Sequence, residues 1–395
     1  MSRWIAVSNG VVDLGEVAQS GDHHAELAIT PVIPSEPLAI SGEVAALWRS
    51  LADDGMAEER LSAGQRALVH EFADAGIATD DADDLRRVVE IKHPWFTSFL
   101  HELVCALAAR VAQQCDARCL VIKGPTLHAQ GLRERAHSGD VDLLVEPARV
   151  DEFVEAMSAW GWRLRPNPMR DTPLPHSHTL TPQGWGCEID AHFRIPGIAA
   201  QPREAFEVLW GQTVEQTFAG VRGFTPNPAA HALIQALTLA RPAPGRRLQP
   251  LHEGAVEVLR RGGTAGTLRL AVELQAHGAL QNELRTVFTA EQVPAEPPPD
   301  DWVWLSQPNP ARVYAQVVKA TPWRQKPSVL WKIVISAGHG ASARQRWLTR
   351  LVRGAGQLFA PRRAKAAGGQ HRQPPGQTNN AAEPAQQRQH RDQRE

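Results

Sequence analysis

Two aspartates two residues apart inside an apolar run are the strongest chemical feature of the sequence. They are Asp140 and Asp142, in the segment Gly-Asp-Val-Asp-Leu-Leu-Val that ends at Val145. The flanking aliphatic residues predict a buried strand, on which side chains two apart share one face. Neighbouring carboxylates on such a strand repel each other and resist desolvation, so a cation is the usual reason to tolerate them. We therefore predict that the pair binds Mg²⁺ or Mn²⁺; an acid pair at an exposed strand end is the plainer alternative.

A Lys-Gly-Pro corner precedes the aspartates. The apolar run before it, Leu120-Val121-Ile122, predicts a strand, and Pro125 is a favourable first residue for a short helix. Gly124 has no Cβ to obstruct a ligand, and a helix N-terminus with a lysine beside it attracts phosphate. We predict that Lys123 and Gly124 contact phosphate; an ordinary strand-end lysine and a turn glycine are the alternative.

A third acidic strand follows in Cys-Glu-Ile-Asp-Ala-His-Phe, which ends at Phe193. Alternation places Glu188, Asp190 and His192 on one face. Asp190 could take a proton from an attacking hydroxyl, although Glu188 shares its face and could be the acidic residue instead. His192 either lies at the edge of the site or holds Asp190 by a hydrogen bond.

This order of elements resembles that of the nucleotidyltransferase superfamily: a strand, a glycine corner, a helix and a strand that carries Asp-x-Asp. The closest likeness is to its poorly characterised family with a Lys-Gly corner and an Asp-hydrophobic-Asp-Leu-Leu-Val strand; related abortive-infection toxins share the corner. The resemblance implies a nucleoside triphosphate substrate and an α+β fold with a mixed sheet. It also implies that Asp190 completes the metal-binding set with Asp140 and Asp142. Arg135 resembles the arginine before the family's Asp-x-Asp; its charge could steady the polyphosphate or pair with a carboxylate. The corner departs from the Gly-Ser form common in the superfamily.

Composition indicates the compartment and the partners of the protein more than the reaction that it catalyses. The chain has 395 residues, 43% of them hydrophobic, and a formal net charge of -1. A near-neutral chain gives no support for a nucleic-acid partner, including a tRNA acceptor. The 4 cysteines lack Cys-x-x-Cys spacing, there is no signal-peptide core, and no apolar run approaches the roughly 18 residues of a membrane helix. We expect a cytoplasmic protein without a membrane partner.

Residues 1–85 are predicted to form a separate small unit. Strand-like Trp4 to Val7, an Asn9-Gly10 hairpin signal and two later helices, the first containing Trp48, resemble the small winged-helix (PqqD-like) peptide chaperone of pyrroloquinoline quinone synthesis. The resemblance implies that a precursor peptide adds as a strand to a sheet edge. A helical cap over the catalytic domain is the alternative.

The remaining chain divides into three predicted regions. Residues 93–225 would form the catalytic core, and residues 226–353 a helical region. Beyond about Pro202 the pattern is helical, with Asn227 as a helix cap. Residues 354–395, rich in Gln, Arg and Pro, are predicted to be disordered.

The predicted function is metal-dependent transfer of a nucleoside monophosphate to an unidentified acceptor. A precursor peptide of ribosomal natural-product biosynthesis is one acceptor that the N-terminal resemblance suggests. The alternative is a non-catalytic adaptor that presents a precursor peptide to partner enzymes.

Overall fold

The computed structural model describes residues 3–330, apart from 16–24, 168–169, 171, 173, 244–248, 250 and 308–309. The predicted disordered tail, 354–395, and the end of the predicted helical region, 331–353, lie outside these residues. Within them, no helix has the length and apolar character needed to cross a bilayer.

The N-terminal region contains two small antiparallel sheets and two helices. Its elements are β1 (Arg3–Ala6), β2 (Gly10–Asp13), β3 (Leu27–Thr30), β4 (Leu38–Ile40), α1 (Gly42–Asp53), β5 (Met56–Ala57), α2 (Ala63–Asp74) and β6 (Ala78–Thr79). The strand orders are β5-β1-β6 and β2-β3-β4. On α1, Leu47, Trp48 and Leu51 are buried, as the apolar spacing predicts.

The predicted hairpin at Asn9-Gly10 is wrong. Strand β1 pairs with β5 and β6, whereas β2 pairs with β3, so the chain passes from one sheet to the other at this point. Gly10 is needed for close packing: a Cβ added there would lie 2.8 Å from the Cβ of Ala106, on α3 (Phe99–Gln114). A glycine next to an asparagine can therefore reflect a distant contact rather than a local turn.

A five-stranded mixed sheet forms the middle of the chain. The elements that follow α3 are β7 (Cys119–Ile122), α4 (Gly124–Ala129), β8 (Asp140–Val145), α5 (Val150–Ala159), β9 (Trp162–Leu164), β10 (Ser177–Pro182) and β11 (Glu188–His192). The strand order is β7-β8-β11-β10-β9. Only the β8–β11 pair is parallel; the other three are antiparallel. The predicted α+β class with a mixed sheet is confirmed.

Alternating side chains of this sheet enter two different cores. Val141, Leu143 and Val145 of β8 pack in a core that includes residues of α3 and α5. Leu144 of β8 and Ile122 of β7 belong to the other core, with residues of the C-terminal helices. Because Asp140 and Asp142 alternate with the first set, they lie on the side covered by the C-terminal half.

The C-terminal half contains helices and one β-hairpin. Its elements are α6 (Pro202–Trp210), β12 (Thr213–Phe218), β13 (Val221–Pro226), α7 (Pro228–Ala240), α8 (Glu253–Gly262), α9 (Ala265–Glu273), α10 (Gln281–Val287), α11 (Asp300–Leu305) and α12 (Pro310–Ala320). The Asn227 side chain accepts a hydrogen bond from the Ala230 N–H and caps α7, as predicted.

The helical pattern predicted after Pro202 did not include β12 and β13, which form a hairpin between α6 and α7. The two strands pair in register through a turn at Ala219-Gly220, where both residues have positive φ. The Thr225 hydroxyl donates to the Val121 carbonyl at 2.9 Å and fixes the hairpin to β7. Alternating β-branched and aromatic residues in this segment were the signal for the hairpin.

Candidate functional site

The parallel pairing of β8 and β11 brings the predicted acids together. Asp142 lies directly opposite Asp190, and Asp140 lies opposite Glu188. One donor atom each of Asp142, Asp190 and His192 lies within 4.8 Å of the other two. Asp140 is outside this tightest group and accepts a hydrogen bond from the Ser138 hydroxyl at 3.1 Å. The core of the cluster is thus two carboxylates and an imidazole, with Asp140 beside them.

The acids face a pocket of about 450 Å³. Its lining residues are Lys123, Arg133, Arg135, Ser138, Gly139, Asp140, Asp142, His176, Asp190, His192, Gln235, Thr238 and Arg241. Five of the six predicted site residues therefore line one cavity. The sixth, Gly124, is buried behind it, where an added Cβ would lie 3.4 Å from the Ser138 Cβ.

Asp142 is the most constrained acid of the pocket. Its Oδ1 accepts a hydrogen bond from the Lys123 amine at 2.7 Å and lies 2.8 Å from His192 Nε2. Burial alone would raise the pKa of Asp142, but the hydrogen bond from His192 and the charge of Lys123 outweigh it and hold the pKa at about 2. Asp142 is therefore ionised at neutral pH.

His192 is a buried, neutral partner of Asp142. Burial and the charge of Lys123 lower the pKa of His192, so the neutral ring donates its Nε2–H to Asp142. The hydrogen bond of His192 is thus made to Asp142 rather than to Asp190, the partner that the sequence suggested. Within the described residues, the buried Nδ1 atom has no hydrogen-bond partner.

Asp190, rather than Glu188, is the β11 acid that faces the pocket. Its Oδ1 accepts a hydrogen bond of 2.6 Å from the Thr179 hydroxyl on the neighbouring strand. Glu188 instead forms an exposed ion pair with Arg165 and does not line the cavity. The two acids share one face of β11, as predicted, but Asp190 is the one that lines the pocket.

The Lys-Gly corner is built differently from the predicted phosphate site. Lys123 has φ 63° and ψ -159°, and Gly124 also has positive φ. The Lys123 N–H donates to Nε2 of His231 at 2.8 Å, and the Thr126 hydroxyl donates to the Lys123 carbonyl at 2.6 Å. The corner amide is therefore bonded within the protein, and only the Lys123 amine reaches the pocket. Arg135 is exposed at the rim and makes no ion pair among the described residues.

Helix α7 supplies residues that the sequence analysis missed. His231, Gln235 and Thr238 lie at positions i, i+4 and i+7 of the helix, and Arg241 follows its last residue. The last three line the pocket, and His231 contacts the corner. Because the rest of α7 is almost entirely apolar, these polar residues at helical spacing were a readable signal of a polar stripe.

His231 is fully buried and accepts the corner amide. Its Nδ1 donates to the Gln130 side-chain oxygen at 2.8 Å, and the Gln130 amide donates to the Pro226 carbonyl. Burial and the charge of Lys123 lower the pKa of His231 to about 3. The ring is therefore neutral, as an acceptor for the Lys123 N–H must be.

The donor set fits a hard divalent cation. Carboxylate oxygens are the ligands that Mg²⁺ and Mn²⁺ prefer, and an imidazole nitrogen is also acceptable to Mn²⁺. The Lys123 ammonium group, held 2.7 Å from Asp142, shows that the cluster attracts positive charge. Asp140, Asp142 and Asp190 would hold such an ion, with His192 beside them.

The comparison with protein families gives a match over this site. Residues 97–256 match the sequence model of a family described as an uncharacterised nucleotidyltransferase. The matched segment runs from the start of α3 into α8 and contains all six predicted site residues. The resemblance inferred from the motifs is confirmed for this part of the chain. No curated protein matches the chain.

Two solved structures show weak similarity to the chain. An antigenic nucleotidyltransferase-like protein from Paracoccidioides brasiliensis is 11% identical, with a TM-score of 0.32; the match covers 51% of this chain and 96% of that one. A tRNA-processing enzyme in its apo form is 15% identical, with a TM-score of 0.23, and the match covers 66% and 65% of the two chains. Because these similarities are so low, the functional argument depends on the family match instead.

Proposed function

We propose that this protein is a metal-dependent nucleotidyltransferase. The observation that carries the proposal is the direct pairing of Asp142 and Asp190 on parallel strands, facing one pocket with Lys123. These residues all lie in the segment that matches a nucleotidyltransferase family. The substrate would be a nucleoside triphosphate, and the products a nucleotidylated acceptor and pyrophosphate.

The charge of the pocket supports an anionic substrate. Four cationic side chains and three carboxylates line it, so the lining carries one net positive charge with its histidines neutral. A Mg²⁺ or Mn²⁺ ion bound to the carboxylates would add two positive charges and offset their repulsion of the phosphates. Lys123 and Arg135, both in the lining, would contribute positive charge to phosphate binding.

Asp190 is the proposed general base. In the transfer, an acceptor hydroxyl oxygen bonds to the α-phosphorus while the bond between that phosphorus and the pyrophosphate oxygen breaks. The acceptor proton passes to Asp190, whose Oδ1 accepts a hydrogen bond from Thr179 and whose Oδ2 has no hydrogen bond from the described residues. Asp142, with its lowered pKa, stays ionised during the reaction and contributes charge rather than proton transfer.

The direct test is transfer of an α-labelled nucleotide by the purified full chain. The four nucleoside triphosphates are each supplied with Mg²⁺ or Mn²⁺, and labelled products and pyrophosphate are measured with the protein alone and with fractions of a host extract. We expect Asp142→Asn and Asp190→Asn to lower the rate by about 100-fold or more. Glu188→Gln is the matched control, because this acid lies two residues from Asp190 but outside the pocket.

Each variant is checked by circular dichroism and thermal melting. Equal losses in Asp190→Asn and Glu188→Gln, or full activity in Asp142→Asn, would contradict the assigned site. A wild-type protein that neither binds nor turns over any nucleotide would refute the proposed function.

A precursor peptide remains the proposed partner of the N-terminal region. Support comes from the sheet β2-β3-β4, in which β4 is an outer strand. The opposite edge of this sheet, β2, is already hydrogen-bonded, because β2 donates N–H groups to the Ala219 and Lys92 carbonyls. The test is binding of a labelled precursor peptide encoded beside the gene to the full chain, with Ala39→Pro on β4 compared with Ala39→Ser. Peptide binding without nucleotide turnover would favour the adaptor function; equal binding by both variants would exclude β4 as the peptide site.

A further inference from the structure

Among the residues that the structure describes, Arg241 is a pocket cation with no carboxylate in contact. One of its terminal nitrogens, Nη1, lies 2.9 Å from Nε2 of His176. An imidazole carries no negative charge in either protonation state, so this contact orients the guanidinium without neutralising it. Asp301 acts on Arg241 from a distance, but its Oδ2 accepts a hydrogen bond from Arg194 at 2.9 Å. Within the described residues, Arg241 forms no salt bridge.

The position of Arg241 makes this uncompensated charge costly. The guanidinium is largely buried, and burial lowers the pKa of Arg241. Partial desolvation of a charge without a counter-ion disfavours the folded state, so such a group calls for an anionic partner. Lys123 differs, because it is already paired with Asp142. Arg241 therefore offers the larger gain on binding an anion.

Short contacts connect Arg241 to the acid cluster. The Lys123 amine lies 3.4 Å from His192 Nε2, and the rings of His192 and His176 have centroids 5.3 Å apart. His176 in turn contacts Arg241. One extended polyphosphate could therefore reach from the acids, where the α-phosphate reacts, to the guanidinium.

We propose that Arg241 binds the terminal phosphate of the nucleoside triphosphate and makes the pocket select triphosphates over diphosphates. This inference rests on the proposed nucleotidyltransferase function. A guanidinium presents two parallel N–H groups to one phosphate, which an ammonium group cannot reproduce. His176 is the positioning residue that holds the guanidinium toward the pocket.

The test measures the affinities of a triphosphate and the matching diphosphate by titration calorimetry. The full chain is used with Mg²⁺ and the base that it binds best. Arg241→Gln should reduce the preference for triphosphate by about tenfold or more, since loss of a charge-assisted contact costs at least about 1.4 kcal/mol. Arg241→Lys should recover part of the preference. Arg222→Gln, on the exposed face of β13, is the control for general surface charge and should leave the preference unchanged.

The outcomes separate this inference from the function on which it rests. A wild-type chain that binds no nucleotide refutes both proposals. A chain that binds nucleotide but keeps its triphosphate preference in Arg241→Gln refutes the role of Arg241 alone. If Arg241→Gln does not fold, Arg241→Lys decides: a reduced preference supports the terminal-phosphate contact, and an unchanged preference excludes it.

Discussion

At the scale of single residues, Lys123 combines an unfavourable backbone with a central side chain. Its φ of 63° and ψ of -159° belong to a region that is essentially restricted to glycine. The conformation is held from both sides, by His231 on the N–H and by Thr126 on the carbonyl. A lysine in this geometry places its amine against Asp142. We infer that the side chain is retained for function at a cost in stability.

Replacing Lys123 by glycine and by alanine should reveal this cost. Both changes remove the amine and its ion pair, but only glycine also relieves the backbone. We therefore expect Lys123→Gly to be more stable than Lys123→Ala by about 1–3 kcal/mol, although both lose nucleotide affinity. Urea denaturation gives the two free energies of unfolding.

Ala46→Gly is the reference for a position at which glycine should be less stable than alanine. Ala46 is exposed on α1, where glycine should be less stable than alanine by about 0.5–1 kcal/mol. If glycine at position 123 showed the same penalty as at position 46, the corner would not be strained.

At the scale of elements, α7 connects the corner to the rest of the pocket. Its N-terminal half contributes His231 to the Lys123 amide, and residues farther along contribute Gln235 and Thr238 to the lining. The helix is fixed at its start by the Asn227 cap. A shift of α7 would therefore move the lysine corner and the pocket-lining residues of α7 together.

The buried, neutral His231 on this helix predicts a specific pH dependence of folding stability. The pKa of His231 falls from an ordinary value of about 6.5 to about 3 in the folded protein. Between these values the unfolded chain binds the extra proton, so stability rises with pH across this window. The contribution is complete above about pH 6.5 and is lost as pH falls toward 3.

The variant His231→Gln removes this titration while keeping a hydrogen-bond acceptor. We expect its free energy of unfolding to fall less steeply than that of the wild type between pH 6.5 and 4.5, by up to about 1.4 kcal/mol per pH unit. Denaturant unfolding at several pH values measures the two slopes. Exposed His70→Gln is the control. Parallel curves for His231→Gln and wild type would show that His231 does not titrate as proposed.

The sequence predicted the elements whose signals are local. Alternating apolar residues identified β8 and β11, and their Asp-x-Asp and Glu-x-Asp spacing predicted the shared faces. It could not predict which strands pair, so it left Asp190 and Glu188 unresolved until the register and the Arg165 contact were known. The contact between Lys123 and His231 joins residues 108 positions apart, and no local pattern reports it. The polar stripe of α7, in contrast, was visible and was overlooked.

At the scale of the whole molecule, the N-terminal strands take part in two cores. Val11 of β2 packs in the core of the N-terminal region. Val12, the next residue, packs in the core that contains α3 and the central sheet. A backbone hydrogen bond from Val11 to Ala219 adds a link to the β12–β13 turn. From this sharing we predict cooperative unfolding of the N-terminal region with the catalytic core, whereas the helix and strand pattern of the sequence predicts a separate unit at residues 1–85.

The change Gly10→Ala tests this cooperativity at its tightest contact. The new Cβ would meet the Ala106 Cβ at 2.8 Å, and the positive φ of Gly10 adds strain. We expect a loss of about 1–3 kcal/mol, seen as a lower melting temperature of one single transition. Calorimetry is compared with tryptophan fluorescence and circular dichroism.

Two further variants serve as controls. Ala106→Gly in the same chain as Gly10→Ala should restore part of the loss, since it removes the opposing methyl group. Gly64→Ala, which has open space around it on α2, should be neutral or slightly stabilising. Two separate transitions, with only the first shifted by Gly10→Ala, would instead establish residues 1–85 as an independently folding domain.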